Sequence, residues 1–284
     1  MPDFKFIRVE EDDGIYTITL NRPEKRNAMN PGLHRDMHAI LTELRFDPQV
    51  RVVIITGAGE SFSAGQDLKE YFYDLSEAEG KLERERIRAI SNEWRNHILR
   101  LFHAPTIAAV NGWCFGGAFS IVCSCDIAIA SEEATFGLSE INFKHFPGGM
   151  VTKNISETLR PRDALYLSMT GEPFDGRRAY EMGLVTKAVP KAELWPTVRA
   201  LAENLRGKDP VALRMCKDAY KISMQMNYEE AYWYASAKSD QATLLQQASQ
   251  GAGEGGWIKG EGGIGGFIKG NYRPGLGTAE EAKA

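Results

Sequence analysis

Three short stretches of this chain carry residue types that could hold and transform a carbonyl compound. They are Ser61-Phe-Ser-Ala-Gly-Gln-Asp-Leu-Lys-Glu-Tyr71, Val110-Asn-Gly-Trp-Cys-Phe-Gly-Gly-Ala-Phe-Ser120 and Ala134-Thr-Phe-Gly-Leu-Ser-Glu-Ile-Asn-Phe-Lys-His-Phe-Pro-Gly-Gly149. In the second, Gly116 and Gly117 directly precede an apolar helical run, so their N–H groups would be helix-start donors with partial positive charge. Glycine also lets a ligand approach the backbone closely. Such donors can hold an oxygen on which negative charge develops, although a glycine pair also serves tight packing. The first stretch places a similar small-residue turn, Ala64-Gly65-Gln66, before a helical turn expected to begin at Asp67 and Leu68. Two donor turns could meet on one oxygen; spacing alone leaves that open. The third stretch contains one carboxylate, Glu140. Tyr71, four residues beyond Asp67, is expected above the same face as the start of that turn.

The elements that must position these stretches read as α/β. Phe4–Val9 and Ile15–Leu20 flank the turn signal Asp12-Asp13-Gly14 and predict a hairpin. Leu33, Met37, Leu41 and Leu44 give helical spacing across Pro31–Arg45. Val52–Thr56, Thr106–Val110 and Asp126–Ala130 read as buried strands, with a long polar helix from about Glu77 to Phe102 between the first two. Alternating strands and helices argue for parallel layering, in which functional loops follow buried strands. Beyond Ser156 the pattern turns helical, with Pro210–Met226 and Tyr228–Gln247 as consecutive amphipathic helices. The expected organisation is an α/β core over residues 1–200, a helical region over 201–250 and a tail over 251–284.

Twelve of the 28 glycines fall between Gly251 and Gly277, where Gly-Glu-Gly-Gly-Trp-Ile-Lys-Gly (253–260) is nearly repeated by 260–270. Such composition reads as a flexible linker, and it has neither the preceding strand nor the following helix of a phosphate loop. A formal net charge of −4 predicts no whole-chain attraction to nucleic acid or anionic membrane. No apolar run approaches the roughly 20 residues of a membrane span, and the N-terminus does not resemble a secretory signal. The Cys123-Ser-Cys125 pair reads as buried free thiols, suiting a reducing cytoplasm. His34 and His38, spaced i, i+4, could suit a metal, but no third ligand is evident, and solvated histidines are expected.

Taken together, several segments resemble the successive signatures of the crotonase (enoyl-CoA hydratase/isomerase) superfamily. They are Asn21-Arg-Pro-Glu-Lys-Arg-Asn-Ala-Met29, Ala64-Gly-Gln-Asp-Leu-Lys69, Asn111-Gly-Trp-Cys-Phe-Gly-Gly-Ala-Phe-Ser120, Phe136-Gly-Leu-Ser-Glu-Ile-Asn142, Thr170-Gly-Glu-Pro-Phe174 and Ala179–Val185. The order is kept over roughly residues 5–250. Asp67-Leu-Lys-Glu-Tyr-Phe72, Phe136-Gly-Leu-Ser-Glu140 and Arg273-Pro-Gly-Leu276 are similar more narrowly to hydroxycinnamoyl-CoA hydratase-lyases. The resemblance implies a spiral of β-β-α turns, assembly as trimers or dimers of trimers, and an acyl-CoA substrate. Coenzyme A would enter and leave within substrate and product, with no cofactor bound permanently.

The resemblance also implies roles. Oxyanion-hole N–H groups would come from Gln66 and Gly117, and one of two hydratase glutamates maps to Glu140. The other maps to Ser120, itself a feature of the hydratase-lyases. Coenzyme A contacts map to Lys25, Arg26, Ala28, Gly116 and the Ala64–Leu68 backbone, and Phe267 and Lys269 would reach a neighbouring subunit's coenzyme A. Tyr71 would meet the substrate's phenol. Two departures stand at the acyl end: Phe143-Lys144-His145 replaces the usual Trp-Gly, and a second family tyrosine maps to Ser236, with Tyr234 nearby. An RNA-binding protein of the same fold is the reading from another class; the acidic balance and Glu140 count against it.

Overall fold

The Asp12-Asp13-Gly14 turn folds β1 (Ile7–Asp12) back on β2 (Ile15–Leu20), antiparallel, with Ile7 opposite Leu20. This computed structural model describes residues 3–76, 80–250, 257 and 263–269. Asn30 starts α1 (Pro31–Leu44) by accepting the Leu33 N–H, and Pro31 takes the first-turn position where its missing donor costs nothing. Leu33, Met37, Ile40, Leu41 and Leu44 bury the apolar face.

The chain then repeats one motion: a longer strand, a short strand, a helix. The repeats are β3 (Val52–Gly57), β4 (Ser61–Ser63) and α2 (Lys81–Glu93); β5 (Thr106–Val110), β6 (Trp113–Phe115) and α3 (Phe119–Ser124); and β7 (Ile127–Ser131), β8 (Thr135–Gly137) and α4 (Val151–Thr158). After α5 (Pro161–Thr170), β9 (Phe174–Asp175) and α6 (Gly176–Glu181) come β10 (Lys187–Val189) and α7 (Lys191–Arg206). The longer strands form a six-stranded sheet ordered β1-β2-β3-β5-β7-β10, parallel from β2 onward. The short ones form a second sheet ordered β4-β6-β8-β9. This is the β-β-α spiral that the resemblance implies.

Ile15, Val52, Ile54, Ile107, Ala109 and Ile129 on one face of the large sheet meet Leu194, Val198 and Ala202 of α7. The opposite face carries the larger core, in which α1 and α3 bury Met37, Leu41, Phe119 and Ile121. Each buried Ile or Leu contributes about 1.5–3 kcal/mol, which makes these two layers the rigid support of the loops above them.

Three expectations need correction. The helix expected over Glu77–Phe102 begins at Lys81 and gives way at Trp94–Ile98 to a π-helical turn, closed by the Leu99 N–H to Trp94 carbonyl bond at 2.9 Å; residues 77–79 lie outside the described residues. The boundary expected at residue 200 falls inside α7, and the chain divides instead into units Met1–Lys208 and Asp209–Ala284. The second unit holds α8 (Pro210–Ser223) and α9 (Tyr228–Gln250). It also holds a five-residue helix, α10 (Ile264–Ile268), inside the stretch read as a linker. Ile264 N–H donates to the Trp257 carbonyl at 2.7 Å, which joins the two copies of the repeated segment. The remainder of that tail lies outside the described residues. No helix among the described residues is long and apolar enough to cross a membrane.

Candidate active site

The short sheet assembles the site. Parallel pairing sets Ser61 beside Trp113 and Ser63 beside Cys114, then Cys114 beside Phe136 and Phe115 beside Gly137. Parallel strands end on the same side, so the turns that follow them, Ala64–Gln66, Gly116–Gly117 and Ser139–Glu140, emerge together. The strands have three residues each.

The two glycine turns converge, which spacing had left open. Gly65 has φ +85°, and a Cβ there would lie 2.5 Å from the Phe115 carbonyl and 3.1 Å from the Gly117 nitrogen. A Cβ on Gly117 would in turn lie 3.3 Å from Gln66 Cγ. Gly117 stands in the first turn before α3, where N–H groups lack intrahelical acceptors. The Gln66 N–H meets no backbone acceptor among the described residues, while the neighbouring Asp67 N–H goes to the Met29 carbonyl at 3.0 Å. Two donors therefore stand side by side, an arrangement able to hold one oxyanion.

Glu140 lies over this floor. A Cβ on Gly116, whose φ is +52°, would sit 2.9 Å from Glu140 Oε1, and Oε2 is buried without a partner. Burial raises its pKa from the usual carboxylate value, partly offset by its own backbone N–H and by His145. A carboxylate kept in this way binds a proton readily.

The cavity enclosed here measures about 690 Å³. Among the residues expected from sequence, Arg26, Ala64, Gln66, Leu68, Tyr71, Gly116, Gly117, Glu140 and Phe143 line it. Lys25, Ala28, Gly65, Asp67 and Ser120 do not. Gly65 lies against Phe115 and Gly117. Ser120 is fully buried in α3 with its hydroxyl unpartnered. Asp67 caps the π-turn Leu68–Tyr73 through the Lys69 and Glu70 N–H groups and binds Arg22 at 2.9 Å. Burial pushes its pKa up, but those bonds outweigh burial and hold it below the usual value. Arg22 also reaches Glu70 at 2.6 Å, so the Asn21–Met29 motif works as a clasp on the turn that carries Tyr71. Tyr234, Phe267 and Lys269 belong to the second unit. There Lys238 lies 5.4 Å from the Tyr234 ring centroid, and Phe267 and Lys269 are exposed. Ser236 binds the Tyr232 carbonyl at 2.9 Å.

His34 is not solvated, contrary to expectation. It is 0% exposed and accepts the Trp94 indole N–H on Nδ1 at 3.0 Å. Burial and the Arg95 charge lower its pKa to about 3, so it is neutral at pH 7. Its neighbour on the helix, His38, is partly exposed and meets Glu93 at 3.2 Å. Cys125 is buried as expected, whereas Cys123 is only partly so.

Sequence reasoning also missed Arg95. It is 2% exposed, lines the cavity, and donates to the Ser91 carbonyl (3.1 Å), the Ser91 hydroxyl (2.8 Å) and the Gly117 carbonyl (3.0 Å). Ile87, Ser91, Arg95 and Ile98 fall on one helical stripe, and that spacing was the available signal. Arg26, Arg84 and Arg88 add cationic side chains to the wall.

Comparison with known proteins fits this geometry. The enoyl-CoA hydratase/isomerase family model matches residues 10–257. A hydroxycinnamoyl-CoA hydratase-lyase from Pseudomonas fluorescens is 48% identical over 85% of this chain and 87% of its own length. A short-chain-enoyl-CoA hydratase from Clostridium acetobutylicum is 34% identical over 80% and 85%. The crystal structure of an enoyl-CoA hydratase from Bacillus anthracis superposes with a TM-score of 0.78 at 27% identity, covering 87% of this chain and 96% of that one.

Proposed function

The chain belongs to the enoyl-CoA hydratase/isomerase family, and from that premise we propose that it hydrates a 4-hydroxycinnamoyl-CoA, such as feruloyl-CoA, and then cleaves the product to a hydroxybenzaldehyde and acetyl-CoA. The observation that carries this reading is the single carboxylate at the glycine turns. Glu140 stands with Oε2 unpartnered over Gly116, while position 120 is Ser120 rather than a second acid. One base must then serve both steps. The 48% identity to a hydroxycinnamoyl-CoA hydratase-lyase supports the same choice.

Electron release from the para-oxygen makes the β-carbon accept water by a quinone-methide-like route. Glu140 takes a proton from water as oxygen bonds to the β-carbon, and returns it to the α-carbon. In the second step Glu140 removes the proton of the new β-hydroxyl. The bond between the α- and β-carbons breaks, the aldehyde forms, and the electron pair remains as the acetyl-CoA enolate. Gln66 and Gly117 N–H groups hold the enolate oxygen until Glu140 reprotonates the α-carbon. Removing one such donor typically costs about 10²–10³ in rate.

Coenzyme A enters and leaves as part of substrate and product. Arg26, Arg84 and Arg88 suit its phosphates, with Lys25, Ala28 and the Ala64–Leu68 backbone along its path. Phe267 and Lys269 are assigned to the coenzyme A of a neighbouring subunit in a trimer or a dimer of trimers. Incubation with feruloyl-CoA tests the whole reading: aldehyde and acetyl-CoA should appear in equal amounts. A β-hydroxy thioester that accumulates uncleaved would instead favour plain hydration, to which Phe143-Lys144-His145 and Ser236 lend weight.

A further inference from the structure

Arg95 is linked to both turns that carry the oxyanion donors. Its Nη1 donates to the Gly117 carbonyl at 3.0 Å, and a Cβ on Gly117 would lie 3.2 Å from the same nitrogen. Its Nε and Nη2 go to Ser91, to the carbonyl at 3.1 Å and to the hydroxyl oxygen at 2.8 Å. The Gln66 side chain is coupled to this group in either orientation of its amide. With the amide nitrogen toward Arg95, Ser91 Oγ accepts from Gln66 Nε2 at 3.4 Å as well as from Arg95, and a hydroxyl oxygen has two lone pairs for this. With the amide oxygen toward Arg95, it accepts from Nη2 directly at 3.2 Å. His34 Nε2 holds the other end of the amide at 2.7 Å.

A guanidinium is a planar fork whose N–H donors keep fixed directions, so bonds from its separate nitrogens hold their acceptors at a set separation. Burial stiffens the tie, because Arg95 is 2% and Ser91 0% exposed and the bonds lie in a low dielectric. Among the described residues Arg95 makes no ion pair. Burying a cation without a counter-charge is unfavourable, and burial lowers the pKa of this one to about 10, which still leaves it charged at neutral pH. The backbone on either side of Gln66 is held by Met29, which donates to the Gly65 carbonyl at 2.7 Å and accepts the Asp67 N–H at 3.0 Å. The Gln66 side chain supplies the link from that turn across to Arg95 and Gly117.

We infer that Arg95 is a positioning residue for the oxyanion hole: its fork ties the Gly117 turn to the Gln66 turn and sets the separation of their two N–H donors. The inference rests on the reading of those N–H groups as the donors to the thioester oxygen, not on which acyl group is cleaved. Donors held at the right separation favour the enolate over the ground-state carbonyl. Loosening them should therefore lower kcat with little change in KM.

The probe is 3-(4-hydroxyphenyl)propanoyl-CoA with carbon-13 at the thioester carbonyl, which has no double bond to hydrate. On binding to the full-length wild type its carbonyl stretch, read by infrared difference spectroscopy, should fall, because two N–H donors polarise the bond. Arg95→Met should lose most of that fall and reduce kcat for feruloyl-CoA consumption by about 10²-fold at nearly unchanged KM, the effect of a misplacement of about 1 Å. Arg95→Lys, which keeps the charge but not the fork, should recover only part of both. Ser91 does not line the cavity, and Ser91→Ala should move both readouts the same way by less. A folded Arg95→Met protein with the wild-type stretch and kcat would overturn the inference. If that variant fails to fold, Ser91→Ala decides, and unchanged values there overturn it equally. Full recovery by Arg95→Lys would mean that charge alone suffices and that no tie exists. A wild-type stretch no lower than in water would remove the oxyanion hole and the inference with it. If instead the stretch falls and responds to Arg95 while feruloyl-CoA is hydrated but not cleaved, the tie stands and the lyase reading falls.

Discussion

Gly116 and Glu140 are in direct apposition: the space a Cβ on Gly116 would need ends 2.9 Å from Glu140 Oε1. Gly116→Ala therefore has two costs that can be measured apart. The backbone at φ +52° disfavours any side chain by about 1–2 kcal/mol, seen as a lower unfolding midpoint. The methyl group also displaces the carboxylate, and a misplacement of this kind costs on the order of 10²-fold in kcat. A folded Gly116→Ala enzyme with undiminished kcat would show that the carboxylate position does not matter.

Glu140 should set the acid limb of the pH profile. Its folded pKa is raised, chiefly by burial, and the base form is the active one. kcat/KM should then rise with pH through a midpoint above the ordinary carboxylate range. Glu140→Gln should lose about 10²–10⁴ in both hydration and cleavage while still binding CoA thioesters. The sign for stability runs the other way. A carboxyl with a raised folded pKa stabilises the fold only while protonated, and that contribution is lost as pH rises through the folded value. At neutral pH Glu140→Gln should thus unfold no earlier than the wild type in a thermal melt.

Much of this site was legible in the sequence, for identifiable reasons. Gly116 and Gly117 were visible because they lie just past a strand and open an apolar helix, whereas the roles of Gln66 and Glu140 came from the family resemblance of their stretches. Arg95 was hidden by its residue type: it follows Ser91 by four positions on the buried stripe, but an arginine in a polar helix reads as solvated. The structure buries it next to Trp94, with Trp94 0% and Arg95 2% exposed. His34 was misread for a related reason: its buried neutral state depends on Trp94, sixty positions away. The short strands β4, β6 and β8 are too brief to show alternation, yet they hold the site together.

His34 should leave a signature in acid. Its folded pKa, about 3, lies well below the 6.5 of a free imidazole side chain. Between those values the unfolded chain binds a proton that the folded protein does not. Stability is thus fully present above pH 6.5 and lost as pH falls toward 3. His34→Gln can still accept from Trp94 and donate to Gln66, but it does not titrate. Melting temperatures followed from pH 7 to pH 5 should fall less steeply for the variant. Parallel slopes would mean that His34 is not held neutral.

Tyr71 decides between cleavage and simple hydration. The π-turn that carries it is capped by Asp67 and clasped by Arg22, so the ring is held at 6% exposure, edge-on to His34 with centroids 5.5 Å apart. Its hydroxyl lies beside Ser91 and Arg95. A site that hydrogen-bonds a substrate hydroxyl rejects an analogue lacking it by as much as about 10⁴–10⁵, because its own polar groups are then left unpaired. Feruloyl-CoA and 4-coumaroyl-CoA should therefore be cleaved, and cinnamoyl-CoA, which has no phenol, should be nearly inert. Tyr71→Phe should slow the phenolic substrates and leave the weak cinnamoyl-CoA rate little changed, narrowing the preference from one side. Steady-state rates for the three thioesters with both proteins give the comparison. Equal turnover of cinnamoyl-CoA and feruloyl-CoA by the wild type would remove the reason for cleavage, since without electron release from the ring oxygen the quinone-methide route is closed.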